Sequence, residues 1–207
     1  DVSISFGDFP TEKIGEVTRA FRQLGIGYTN LGALLMSSGV GYDSREGRAY
    51  AAAITSLMSA VSYRRSAEIA GVVGPYDGYA VNKIPHDEVM DMHRAEAHGL
   101  VSVLNSEPGG VFVEPGMVAP FHLANEIAMV ANREWERNLE VGEMYGWRNA
   151  QASLLAPAGT ISFMMDSDTT GVEPDFSLVK FKKMVGGGSL QIVNSQVPEA
   201  LRSLGYG

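Results

Sequence analysis

The amino-acid sequence predicts an α/β fold. Before residue 150, apolar residues recur at helical spacing in successive segments. After it come short apolar runs broken by Gly, Pro and Asp, which read as strands and loops, and no linker-like tract separates the two stretches. A chain of 207 residues, 45% hydrophobic and 19% charged, is long enough to bury one sizeable core. It reads as a single α/β domain, helix-rich over residues 1–149 and rich in strands and loops over residues 150–207.

In chain order, Asp1 opens an extended segment, and Thr11 after Pro10 is placed to cap a short helix reaching Phe21. Leu24-Gly25-Ile26-Gly27-Tyr28 is a Gly-punctuated apolar run suited to a bend or a close backbone approach. Helical spacing resumes over residues 30–37 until Gly39 and Gly41 stop it. Asp43 or Ser44 then caps a long alanine-rich helix over residues 45 to about 70, with larger apolar side chains at Ile54, Leu57, Met58 and Val61. Gly71, Gly74 and Pro75 end it, and Tyr76-Asp77-Gly78 is turn chemistry. Further helices are expected from about residue 87 to 104 and from Pro120 to Tyr145, with Gly146 as the stop, joined by a loop carrying Pro108, Gly109, Gly110, Pro115 and Gly116. Strands are expected at residues 152–155, 161–165, 178–181 and 190–193, then a short helix over about 198–204.

The formal charge of −8 repels nucleic acid and anionic membranes at long range, so neither is an expected partner. No apolar run reaches the roughly 20 residues of a membrane helix, and nothing resembles a signal peptide. A soluble, cytoplasmic protein is therefore expected. The absence of cysteine removes disulfides, zinc–thiolate sites, a thiol nucleophile and a redox pair together. His86, His93, His98 and His122 lack the spacing of a helical zinc motif and read as surface or helix-face residues, so no metal is expected.

Other tempting features read as structural. Asp166, Asp168, Glu173 and Asp175 form an acidic cluster that suits paired-carboxylate catalysis, a divalent ion or the shaping of loops. Lys180, Lys182 and Lys183, ahead of Gly186-Gly187-Gly188, suit a phosphate or a solvated strand edge equally. Gly25 and Gly27 lack the third glycine of a dinucleotide fingerprint. Glu134, Glu136, Glu140 and Glu143 are expected to face solvent.

The informative chemistry lies in Pro157-Ala158-Gly159-Thr160. Small residues there let a ligand approach the backbone, and consecutive unpaired N–H groups in such a turn form an anion-binding nest. The expected donors are the backbone N–H groups of Ala158, Gly159, Thr160 and Ile161, helped by the hydroxyls of Thr160 and Ser162. On spacing alone, an ordinary strand-to-loop turn is the better reading.

The stretch APAGTIS…DTTGVEPDFSLVKFKK…GGG, with RNAQ ahead of it and the block FRQLGIGYTNLGALLMSSGVGYDSREGRAYAAAITSLMSAVSYRRSAEIA upstream, resembles the catalytic subunits of ribonucleotide reductases, in particular the adenosylcobalamin-dependent class. The resemblance runs over essentially the whole chain and is weakest around residues 105–116. It departs from the family pattern twice. APAGT stands where APTGT is common, losing a hydroxyl but keeping the Ala158 N–H, and Ser167 stands where the family has Cys in DCDTTG.

The resemblance implies part of the second half of a ten-stranded α/β barrel with outer helices, whose loop at Ala158, Gly159, Thr160, Ile161 and Ser162 holds the substrate's phosphates. It implies a ribonucleotide substrate, adenosylcobalamin as cofactor and a thiol reductant such as thioredoxin, and it allows a homodimer. The family's thiyl radical requires a cysteine in an Asn-x-Cys-x-Glu motif, expected upstream of Asp1, with the reducing cysteine tail downstream of Gly207. Both ends thus read as cut from something longer, and no catalytic residue is expected in this chain. Alternatives are a standalone nucleotide- or phosphate-binding protein without catalysis and a fragment of the iron-dependent class I reductases.

Overall fold

A computed structural model describes residues 1–106, 120–183 and 185–206. The expected loop with Pro108, Gly109, Gly110, Pro115 and Gly116 lies outside the described residues. The chain folds as two compact units, one of Asp1–Ile26 with Ala52–Leu154, the other of Gly27–Ala51 with Leu155–Gly207.

The first unit is helical: α1 (Val2–Phe6), α2 (Glu12–Phe21), most of α4 (Arg45–Val73), α5 (Tyr79–Ser106) and α6 (Pro120–Tyr145). The Thr11 hydroxyl caps α2 by accepting the Ile14 N–H, as expected of a threonine at that place. The segment after Asp1, expected to be extended, is the short helix α1, closed by the Ser5 N–H on the Asp1 carbonyl. In α4 the buried face is formed by Ala53, Ala60, Ala67 and Ala70 with Tyr63, while the larger Val61 is exposed. Alanines on that stripe let neighbouring backbones approach closely, and one aromatic fills the remaining space.

Helix α5 packs along α6 and begins well before the expected residue 87. Pro85 is carried inside it, with the buried Tyr79 and His86 anchoring the turns around the proline in the core. Fully buried Ala124, Ala128 and Ala131 on α6 lead to Trp135, and Trp147 beyond the helix completes a cluster with Tyr63, Tyr76, Tyr79 and Met90. His86 is buried against these rings, 4.8 Å from Trp147, and His93 stacks on Trp135 at 5.3 Å. His86 is therefore a core residue and His93 a half-buried one, and burial pushes both imidazoles below their ordinary value. Glu134 also departs from the solvent-facing expectation, being drawn into an ion pair with Arg64 of α4.

The expected strand at residues 152–155 survives as one parallel bridge between Ile26 and Ser153. The Ile26 N–H donates to the Ala152 carbonyl at 2.9 Å, and the Leu154 N–H returns to the Ile26 carbonyl at 2.9 Å. A Cβ on Gly25 would stand 3.0 Å from the Leu154 side chain, the close approach that its glycine suggests.

The second unit holds α3 (Leu31–Ser37), the start of α4, α7 (Gly159–Met164), β1 (Val179–Lys183), β2 (Ser189–Val193) and α8 (Val197–Ser203). Ser44 caps α4, its hydroxyl oxygen accepting the Gly47 N–H at 2.9 Å. Strands β1 and β2 pair antiparallel with Val179 opposite Val193 and Lys183 opposite Ser189, and α8 packs on α3. Among the described residues the chain is mostly helical with this one two-stranded sheet, and no helix is long and apolar enough to cross a membrane.

Candidate functional site

Residues 161–165, expected as a strand because they form a short apolar run, lie instead mostly in helix α7. Among the described residues this run has no neighbouring strand to pair with, and its backbone closes on itself. The Ser162 N–H bonds the Ala158 carbonyl at 3.0 Å, and the Met165 N–H bonds the Ile161 carbonyl at 3.1 Å. Ala158 precedes the helix in the left-handed region at φ 53° and offers no side-chain cap. The N–H groups of Gly159, Thr160 and Ile161 head the first turn, where a helix supplies no internal acceptors. All three residues are exposed, and a Cβ on Gly159 would meet nothing within 4 Å.

Ser162 is placed differently from the other four expected site residues. It is buried, and its hydroxyl is directed at the Ala158 carbonyl and lies 3.0 Å from the Thr29 hydroxyl. Its N–H is already the first hydrogen bond of α7. What Ser162 gives the loop is internal support.

That support comes from Thr29 and Asn30, which sequence reading did not single out. The Thr29 hydroxyl contacts the Thr169 carbonyl at 2.9 Å and accepts the Gly171 N–H at 3.0 Å. The Asn30 carboxamide oxygen accepts the Thr169 N–H at 3.2 Å, and the fully buried Thr169 hydroxyl accepts the Ala33 N–H at 3.2 Å. Gly171 sits at φ 48°, where a Cβ would stand 2.5 Å from the Ala156 carbonyl oxygen, so a side chain there would expel the Ala156-Pro157 backbone. The only local hint was the Tyr28-Thr29-Asn30 sequence ahead of a helix, and the partners lie more than a hundred residues away.

The acidic cluster does not converge on one point. Asp168 accepts the Ser195 N–H and hydroxyl, each at 2.7 Å, and the Gln196 amide at 3.1 Å. Burial pushes its carboxyl up, but those hydrogen bonds and the Lys180 charge outweigh it and hold the group below its ordinary value. Asp175 is paired with Lys180 at 2.8 Å, and Glu173 accepts the Thr170 hydroxyl at 2.7 Å. Lys180 is thus a structural cation, whereas Lys182 lies over the Phe163 ring of α7 at 4.1 Å. Among the described residues no three His, Asp or Glu side chains group as metal ligands would.

The motif Arg148-Asn149-Ala150-Gln151 belongs to the first unit, where buried Asn149 accepts the Ser66 hydroxyl at 2.8 Å and donates to the Arg22 carbonyl at 2.7 Å. Its asparagine is a brace between chain segments.

Comparison with known proteins places these features in one family. The family model described as "Ribonucleotide reductase, barrel domain" matches residues 1–207. Two similar proteins, from Streptomyces avermitilis and Streptantibioticus cattleyicolor, are each 58% identical over 206 residues, and one from Agrobacterium fabrum is 48% identical over 209; all three are named vitamin B12-dependent ribonucleotide reductase. The whole of this chain is covered in each comparison, but it spans only 20%, 32% and 16% of those relatives, respectively. With a barrel-domain match from end to end and relatives of this identity, the chain belongs to the ribonucleotide reductase barrel-domain family.

Proposed function

We propose that this chain is a segment of a vitamin B12-dependent ribonucleotide reductase, and that it positions the substrate's phosphates while the thiol chemistry is carried by other parts of the longer protein. The observation that carries the reading is the exposed first turn of α7, with N–H groups at Gly159, Thr160 and Ile161 beside Pro157 and Ala158, in a chain of this family. Backbone N–H groups at such a turn are donors to phosphate oxygens, and the Ala158 N–H precedes them in the loop. Holding the diphosphate would fix the ribose relative to the reacting thiol, and such positioning lowers the entropic part of a barrier.

The reaction is replacement of the ribose 2′-hydroxyl by hydrogen, with a thiol reductant such as thioredoxin as electron source. Adenosylcobalamin would supply the radical initiation that ordinary acid–base side chains do not provide. No residue of this chain is assigned a contact with that group, and no step is assigned to this chain through the cofactor.

The full protein would close a ten-stranded α/β barrel to which this chain contributes part of the second half with its outer helices, residues 1–149 supplying mainly helices and 150–207 the phosphate-binding region. A cytoplasmic location and a homodimer complete the reading.

Gly159→Pro in the full-length reductase tests it. Proline is tolerated at the first position of a helix, so α7 can persist, but the substitution removes one N–H and drives Ala158 away from its left-handed conformation. Loss of a charge-assisted hydrogen bond together with that distortion should weaken nucleotide binding by at least about 1.5–3 kcal/mol. Adenosylcobalamin affinity should change much less. Unchanged nucleotide affinity in a folded variant would place the phosphate site elsewhere.

A further inference from the structure

We propose that Thr29 is a positioning residue for the phosphate loop, acting through Ser162; the inference rests on the reading of that loop as the phosphate cradle. The Ser162 hydroxyl has a single hydrogen, and that hydrogen is directed at the Ala158 carbonyl. The Thr29 hydroxyl donates to the Thr169 carbonyl at 2.9 Å and meets the Ser162 hydroxyl at 3.0 Å, a contact in which either oxygen can be the donor. The remaining acceptor capacity of Thr29 takes the Gly171 N–H at 3.0 Å. One half-buried hydroxyl thus joins the middle of α7 to the turn at residues 169–171.

The connection matters because of what lies at its ends. Ala158 stands at φ 53°, a conformation that a residue with a side chain rarely adopts and that has to be held from outside. Its carbonyl is held twice, by the Ser162 N–H at 3.0 Å and by the Ser162 hydroxyl. Gly171, on the other arm, lies against the Ala156 and Pro157 carbonyls, immediately before the same loop. Thr29 therefore holds the loop from both sides, and the direction of the Gly159, Thr160 and Ile161 N–H groups follows from Ala158. Thr29 itself needs no contact with substrate to set how well the phosphates fit.

The test uses the full-length reductase containing this segment, with Thr29→Val, Thr29→Ser, Ser162→Ala and the Thr29→Val/Ser162→Ala double variant. The readouts are KM for the ribonucleotide, kcat, the inhibition constant of inorganic pyrophosphate and the thermal midpoint. Thr29→Val keeps the shape and loses the hydroxyl, so KM and the pyrophosphate constant should both rise about threefold to tenfold, with kcat within about twofold of the parent. Thr29→Ser should restore both values. Ser162→Ala should shift them in the same direction, and the double variant should be no worse than the worse single one, because both changes break the same chain of bonds.

An unchanged KM in folded Thr29→Val, or a serine variant as impaired as the valine one, overturns the proposal. So do fully additive single effects. If the valine variant fails to fold, Ser162→Ala decides, and an unchanged KM and pyrophosphate constant there overturns it equally. Gly159→Pro separates the two levels: if it weakens nucleotide binding while Thr29→Val does not, this inference alone fails, and if it has no effect the cradle itself is misplaced.

Discussion

The indole N–H of Trp147 donates to the carboxamide oxygen of Asn138 at 2.8 Å, with both side chains fully buried. This polar pair inside an aromatic cluster fixes the end of α6 to the chain that leads towards the RNAQ motif. Asn138 is also bonded through its NH₂ to the Met90 sulfur at 3.7 Å, so its amide is oriented from both sides. Asn138→Ala leaves the Trp147 N–H buried without an acceptor, and a stability loss of about 1–3 kcal/mol is expected. Denaturant unfolding followed by tryptophan fluorescence measures it; an unshifted midpoint would mean that the pair contributes nothing net.

Gly142 presents the companion case. It lies in α6 directly beneath the Trp147 ring, and a Cβ there would stand 2.0 Å from Cζ2 and 2.4 Å from Cη2. Alanine has the better helix propensity by roughly 1 kcal/mol, yet this overlap with a buried ring cannot be relieved by a flexible side chain. Gly142→Ala is therefore expected to destabilise by about 1–3 kcal/mol net. A raised thermal midpoint in that variant would contradict the packing described.

Acid should act on the second unit through Asp168. Its carboxyl is held below its unfolded value, so the stability it contributes is fully present above the unfolded pKa of about 3.9 and is lost as the pH falls through the folded value. Asp168→Asn removes that linkage while leaving an oxygen to accept from Ser195. Between pH 5 and about pH 2 the parent should lose stability more steeply than the variant. Parallel curves for the two proteins would show that Asp168 is not a source of acid sensitivity.

The isolated chain is expected to produce no deoxynucleotide even with adenosylcobalamin and a dithiol, since it contains no cysteine to carry a thiyl radical. A radiolabelled ribonucleotide assay on the purified chain checks this directly. Turnover above a no-protein control would require a radical carrier other than sulfur.

Much of the helical framework was legible because it depends on local chemistry. Thr11 and Ser44 have hydroxyls that satisfy first-turn N–H groups, and the boundaries of α6 at Pro120 and Tyr145 follow from a proline that fits a helix start and a glycine at φ 70° that suits its end. Strands β1 and β2 were visible as two short apolar runs, though not their pairing with each other.

What local pattern could not supply was partners. Residues 161–165 read as a strand because their side chains suit a sheet, but a strand needs a neighbour to pair with, and among the described residues that run has none. The helix expected from about residue 87 starts at Tyr79, whose ring packs in the aromatic cluster. His86 looked like a helix-face residue until the rings of Tyr76, Tyr79 and Trp147 were assembled around it.

By itself, the sequence determined the Thr11 cap, the run of small residues at Pro157-Ala158-Gly159-Thr160 and the family motifs, since each depends on residues close together in the chain. Only the tertiary structure decided that Ser162 turns inward and that Thr29 meets Ser162 and Gly171. Those contacts join residues separated by 133 and 142 positions, and no local periodicity or propensity records which distant hydroxyl a folded chain will bring to a given carbonyl.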